Sequence, residues 1–355
     1  MSSAPVRRIL IIKLRAIGDV IMATPVIENL RAAYPDAEID FLTERPCYPI
    51  VKNHPDLNEV IVFNRSHISN LPWHAGLREN LKFIKRLRAN RYDLVFDLFG
   101  NPRSALLALA TGAPVRVGFE FRGRKYAYNK VISPRGDQVH EVLFNLDALG
   151  GLGLPIETTR LYYEIDDISA AFAESFWSEN RIVGQTVVGI NASGGWYTKR
   201  WPLKSFAQLA DTLADESRCK ILLFWGPGEK PDAEQIAAQM QHDALLIPAT
   251  DLGKLAALLA KVDMLVSNDS GPMHLAAAVG TPVVGIYGPT VPELQGPWGE
   301  QHAIVQKNGL ACLGCNGVTC KIQTHDCMEK LEVRSVLETA RPVLQRAKQA
   351  QAQTE

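Results

Sequence analysis

The chain has 355 residues, 46% apolar and 21% charged, which exceeds one ordinary domain and suits two, each with a large core. Lys plus Arg and Asp plus Glu both number 38, so the formal net charge is zero and non-specific nucleic-acid binding is excluded as the main role. No apolar run reaches membrane-spanning length, and residues 1–8 lead into the first strand without the pattern of a secretory leader. The cytoplasm is the expected compartment, where six cysteines do not argue for disulfides.

Apolar runs in the first half predict strands over residues 8–14, 38–42, 60–63, 93–97 and 116–118. Helical patterns predict helices over 20–33, 73–90, 102–111 and 140–150, with a kink in the first at Thr24-Pro25. Strands alternating with helices imply right-handed crossovers and a parallel sheet, and near-continuous apolar strands such as ILIIKL fit one covered on both faces. Residues 151–167 lose this rhythm and read as the interdomain linker. The alternation restarts with a helix over 168–181, strands over 186–191, 219–225, 244–247, 263–267 and 282–286, and helices over 203–216, 230–241, 252–260 and 272–279. A last helix, 333–349, is expected to pack back against the first domain, giving domains 1–165 and 166–332 plus a terminal segment 333–355. Two basic runs, 82–91 and 122–125, read first as solvated faces and second as attraction to an anionic substrate or membrane surface.

The segment LVSNDSGPMHLAAAVGTPVVGIYGPT (265–290) is a buried strand, a small-residue turn, a helix and a second buried strand. Such a turn leaves N–H groups and the helix dipole aimed at one spot, an anion site at the carboxyl end of a strand. Ser270 and the free N–H groups suit a diphosphate, Gly271 allows close backbone approach, and Asp269 can accept from a sugar hydroxyl. The plain alternative is that Asp269 or Ser270 caps the helix. His274, one turn in, faces either the ligand or the sheet.

A similar turn, LRAIGD (14–19), follows the first strand. Asp19 there is either a helix cap or a general base that takes a proton as charge develops on an attacking hydroxyl. Lys199 stands between the loop Ala192-Ser193-Gly194-Gly195 and a helix opening at Pro202; it suits neutralising a departing phosphate, or is a surface lysine. Glu229, in WGPGE, either pairs with ribose hydroxyls or complements a helix dipole. Asn101 and Arg103, after the strand ending at Asp97, and Arg15 in the first turn are candidates for holding an anionic acceptor.

Cys312, Cys315, Cys320 and Cys327, with His325 nearby, have the flavour of a tetrahedral zinc site, but their spacing matches no standard finger. Four reduced cysteines or a redox-labile pair are the alternatives. The chain lacks GxSxG, HExxH and P-loop patterns and, after the first strand, the GxGxxG of dinucleotide-dependent dehydrogenases.

In this order, ILIIKLRAIGDVIMATPVIENLR, YDLVFDLFGNPRSA, HEVLFNLDALG, TKRWP, SNDSGPMHLAAAVGTPVVGIYGPT and the cysteine loop ending in HDCM resemble the heptosyltransferases of lipopolysaccharide synthesis, glycosyltransferase family 9. The resemblance implies a GT-B fold, two Rossmann-like domains with parallel sheets facing across a cleft. It also implies transfer of heptose from ADP-heptose to a lipid A–Kdo or growing core acceptor, with inversion and no catalytic metal. By position, Asp19 matches the family's base, Lys199 its phosphate-binding lysine, and Asp269-Ser270-Gly271 its donor-binding turn; Ser193, Gly194, Glu229 and His274 join the donor side. A lipid-linked acceptor implies peripheral association with the cytoplasmic face of the inner membrane. The rivals are a GT-B enzyme or epimerase using another nucleotide sugar, and a non-catalytic nucleotide-sugar-binding envelope protein.

Overall fold

The run Ile9–Ile12 is wholly buried because β1 (Arg8–Ile12) has a strand on each side and helices over both faces. In the computed structural model, which describes residues 5–121 and 123–351, β1 pairs in parallel with β2 (Glu38–Glu44) and β4 (Leu94–Asp97). With β3 (Glu59–Phe63), β5 (Val115–Phe119) and β6 (Lys130–Ile132) they form a parallel sheet of order β3-β2-β1-β4-β5-β6. Arg122, which opens the second basic run, lies outside the described residues, as do residues 1–4 and 352–355.

The chain divides into two compact units between Glu164 and Ile165. The second repeats the first's topology. Its strands are β7 (Val187–Asn191), β8 (Lys220–Phe224), β9 (Ala244–Leu246), β10 (Met264–Asn268), β11 (Val283–Tyr287) and β12 (Ala303–Gln306). The parallel order β12-β11-β10-β7-β8-β9 is the same doubly wound arrangement, with strand order reversing between β7 and β10 as it does between β1 and β4. Ligands bind such sheets beyond the carboxyl ends of the strands at these two reversals.

Three expectations are corrected. The helix expected over 20–33 is two helices, Ile17–Ile21 and Thr24–Ala33. Pro25 suits the first turn of the second, and the Thr24 hydroxyl donates to Ile21 O at the break. Each sheet also has a sixth strand that the pattern did not predict, β6 and β12, both short and at an edge. The terminal helix Val333–Gln351 falls within the second unit instead of forming a separate segment. Its face Val336, Leu337, Ala340, Val343 and Leu344 completes the second core with Phe206, Leu209 and Leu213 of the helix Leu203–Ser217.

Candidate active site

At the second reversal, β10 ends in Asn268 and the chain turns through Asp269 and Ser270 into the helix Gly271–Ala278. No side chain caps this helix, so the capping alternative for Asp269 and Ser270 does not hold. Pro272 in its first turn has no N–H to offer, while the other first-turn N–H groups and the dipole face outward from the turn. The Ser270 hydroxyl instead accepts from Asn191 Nδ2 at 3.0 Å, beside Ser267 Oγ, which accepts from the same amide at 2.8 Å.

Asp269 is buried, and its Oδ2 takes the Lys199 ammonium at 2.7 Å and the Thr290 hydroxyl at 2.7 Å. Two protein donors already occupy Oδ2, which leaves Oδ1 for any further donor. Its geometric role is to fix Lys199. The ammonium also lies 4.6 Å from the centre of the Trp196 ring. An ammonium has three N–H donors, and one spent on Asp269 leaves two for an anionic ligand.

The loop after β7 is built around these groups. Asn268, wholly buried, donates to Ala192 O at 2.8 Å and accepts from Trp201 N at 3.2 Å, tying both ends of the loop to β10. Arg200 crosses beneath it to Gly194 O at 2.9 Å, Glu229 at 3.3 Å and Asp232 at 3.2 Å. A Cβ on Gly194 would meet Arg200 Cγ at 3.1 Å, so glycine gives the arginine its passage. Glu229 accepts from Gly226 N and Arg200, which sets its carboxylate at the carboxyl end of β8. Ser193 Oγ and Asn191 Oδ1 are buried without a hydrogen-bond partner, a costly condition in a dry interior. His274 is buried on the helix.

The short turn Tyr197–Lys199 that carries the lysine rests on the cysteine loop. The Thr198 hydroxyl donates to Gly317 O at 2.7 Å, Thr198 O lies 2.8 Å from His325 Nε2, and the Tyr197 and His325 rings stack at 5.1 Å. All four cysteines of this loop are free thiols. Burial, aided by the neighbouring Cys312, Cys315 and Cys320, pushes the Cys327 thiol up to about 11. The donor chemistry suits zinc, but among the described residues no three His, Cys, Asp or Glu side chains are grouped so as to hold a metal ion. What the geometry supports for this loop is a buttress under Lys199.

At the first reversal, buried Lys13 at the end of β1 donates to Leu98 O at 3.1 Å, Glu141 at 2.7 Å and Asn145 at 3.0 Å. Asp97 at the end of β4 accepts from Phe99 N and Gly100 N, each at 3.0 Å, and from the Tyr128 hydroxyl at 2.6 Å; burial raises its pKa. Asp19 is half-buried in the first turn of Ile17–Ile21 and accepts from Ala16 N at 2.9 Å, so one oxygen already closes the turn. Its charge, after burial, helps push the Cys47 thiol up to about 12.

Arg15 is exposed beside it. Asn101 caps Pro102–Thr111, its Oδ1 accepting from Ser104 N at 2.8 Å, and the Arg103 guanidinium lies 5.8 Å over the Phe63 ring. Phe63 also lines a groove of about 330 Å³ with Glu44, Arg45, Pro46, Asn64 and Arg65, beyond the carboxyl ends of β2 and β3. Arg45 and Arg65 escaped sequence reasoning because they sit outside any recognisable motif. Asn191, Asn268 and Thr290 escaped because each acts through partners that the fold alone brings near.

Two parallel sheets of one strand order, with an uncapped helix start and a poised lysine at a reversal, define a doubly wound α/β protein with an anion-binding reversal. The model of glycosyltransferase family 9 (heptosyltransferase) matches residues 80–325, and the chain belongs to that family. It is 29% identical over 296 residues to lipopolysaccharide heptosyltransferase 3 of Escherichia coli K12, covering 80% of this chain and 83% of the relative. Its fold matches a family 9 glycosyltransferase from Veillonella parvula with TM-score 0.82 and 24% identity, over 96% of this chain and 97% of that one. The E. coli heptosyltransferase WaaC solved with ADP matches with TM-score 0.74 and 25% identity, over 95% and 99%. The protein is thus a glycosyltransferase of GT-B fold.

Proposed function

We propose that this glycosyltransferase moves a heptose from ADP-heptose onto a lipid-linked inner-core acceptor of lipopolysaccharide, inverting the anomeric centre. The reading rests above all on Lys199, held by Asp269 beside the uncapped start of Gly271–Ala278. There the departing diphosphate meets an ammonium and oriented N–H groups, where transition-state charge develops. Ser193 and Asn191 supply unpartnered polar atoms to the donor, and Glu229 suits the ribose. The solved relative with ADP supports adenine as the base.

Asp19 takes the proton from the acceptor hydroxyl as that oxygen attacks the anomeric carbon and the bond to ADP breaks. Arg45, Arg65 and Arg103 around the Phe63 groove suit the anionic groups of a core acceptor. The positive charge facing the diphosphate comes from Lys199 and the helix start, so the step as proposed uses no catalytic metal. A lipid-linked acceptor would bring the enzyme to the cytoplasmic face of the inner membrane.

Calorimetric titration with ADP, UDP and GDP tests the donor. ADP alone is expected to bind tightly, and Lys199→Ala to weaken it. A preference for UDP or GDP would overturn the heptose donor, and no nucleotide binding would overturn the enzymatic reading.

A further inference from the structure

The helix Trp73–Ala89 of the first unit spends one face on the core, with Gly76 and Leu87 buried and Phe83 packed edge-on to Phe63 at 5.1 Å. Beside that face, Trp73, Leu77 and Leu81 recur every four residues and form a stripe left 81%, 53% and 58% exposed. The adjoining helix Pro102–Thr111 exposes Leu106 at 66% and Leu109 at 47%. Large apolar side chains repeated on one helix and continued on its neighbour are not scattered surface residues; contiguous exposed patches mark interaction sites.

Charge accompanies the stripe. The helix carries five basic residues and a single glutamate. Glu79 is spent on Lys82 at 2.7 Å, and Arg86 pairs with Glu59. Arg78, Lys85 and Arg88 have no ion partner among the described residues, and on a helical projection they flank the apolar stripe on its solvent side or lie along it. Apolar residues with a tryptophan on one strip and lysines and arginines alongside are the composition of helices that lie in the headgroup region of anionic bilayers. No helix among the described residues is long and apolar enough to cross a membrane, so a contact here is with the surface.

Topology fixes which end leads. The helix joins β3 to β4, parallel strands, and therefore runs back along the sheet. Trp73 begins at the carboxyl edge, the edge that carries the Asp19 turn and the Phe63 groove.

We propose that the stripe Trp73, Leu77 and Leu81, with Arg78, Lys85 and Arg88 alongside, docks the first unit on an anionic lipid surface. Docking holds the carboxyl edge of the first sheet at the headgroup plane, where a lipid-linked acceptor presents its sugar. The purpose of the docking rests on the proposed function, but the docking itself does not.

Flotation with vesicles of phosphatidylcholine alone or mixed with phosphatidylglycerol tests it on the full chain, without donor or acceptor. The wild type is expected to float with the mixed vesicles and be released by salt. Leu77→Asp with Leu81→Asp should cut that binding by at least about tenfold, and Lys85→Glu by about fivefold, with an unchanged melting temperature and ADP affinity. Equal binding by the variants, or no flotation of the wild type, would overturn the proposal. So would a concentration-dependent dimer abolished by the same substitutions, which makes the stripe a chain-to-chain interface. Normal flotation by a protein that transfers no heptose would sink the proposed function and leave the docking standing.

Discussion

The two units share one strand order but spend the same position differently. At the first reversal every buried charge is answered from within: Lys13 by Glu141, Asn145 and Leu98 O, and Asp97 by Tyr128 and two backbone N–H groups. At the second, Lys199 has one fixed partner and two N–H donors to spare, Ser193 and Asn191 have bare polar atoms, and a helix starts uncapped. A closed network makes a rigid platform, whereas an open one makes a binding site. Topology alone thus does not decide which reversal is left open to an anionic ligand. What decides is whether the strand ends carry groups that the fold leaves unsatisfied.

The largest expected effect breaks the comparison on the acceptor side. Asp19→Asn should lower heptose transfer by about 10²–10⁴-fold with ADP affinity unchanged, measured by turnover and calorimetry in parallel. A variant that transfers normally would remove Asp19 from the mechanism. Lys199→Ala acts on the open network, and a loss of about 10²–10³-fold in turnover together with weakened ADP is expected. If turnover fell while ADP bound as before, the lysine would act on the transition state alone.

Lys13→Met tests the closed network. It strands the Glu141 carboxylate and Leu98 O, and a loss of about 3 kcal/mol in urea unfolding is expected, with ADP binding intact. Destabilisation below about 1 kcal/mol would show that solvent already answers Glu141.

The smallest effect is a pH dependence that both units should share. Burial holds His54 in the first unit and His302 in the second at about 4, down from 6.5. In each ring Nδ1 accepts a backbone N–H, from Asp56 at 3.3 Å and from Val283 at 3.1 Å, so protonation removes an acceptor as well as burying a charge. A depressed folded pKa contributes stability that is present above pH about 6.5 and lost as pH falls toward about 4. Each histidine is expected to account for on the order of 1–3 kcal/mol across that window, read from unfolding midpoints of His54→Gln and His302→Gln against pH. Midpoints that fall no more steeply with His than with Gln would sink this account.

Much of the frame was legible in the chain because its signals are local. Runs such as ILIIKL, short and rich in β-branched residues, suit strands covered on both faces, and SNDSGPMH places small residues and a proline where a strand turns into a helix. The position of Lys199 was legible for the same reason, between a glycine loop and a helix start. What stayed hidden depends on distant partners: Lys13 meets Glu141 and Asn145, 128 and 132 positions on, and Asp269 Oδ2 is taken up by Lys199 and Thr290. β6 and β12 were missed because edge strands of three and four residues carry little apolar pattern.

The clasp of Thr198 between Gly317 and His325 gives the enzyme a timetable. The lysine turn leaves the ribosome well over a hundred residues before the loop that seats it, since its hydrogen bonds span 119 and 127 positions. The indole of Trp201 waits longer still, for Leu331 O, 130 positions ahead. A nascent chain can assemble its first unit and much of its second sheet while the lysine is still unseated. If Lys199 serves the donor as proposed, competence to hold it follows the synthesis and folding of the loop that carries Gly317 and His325.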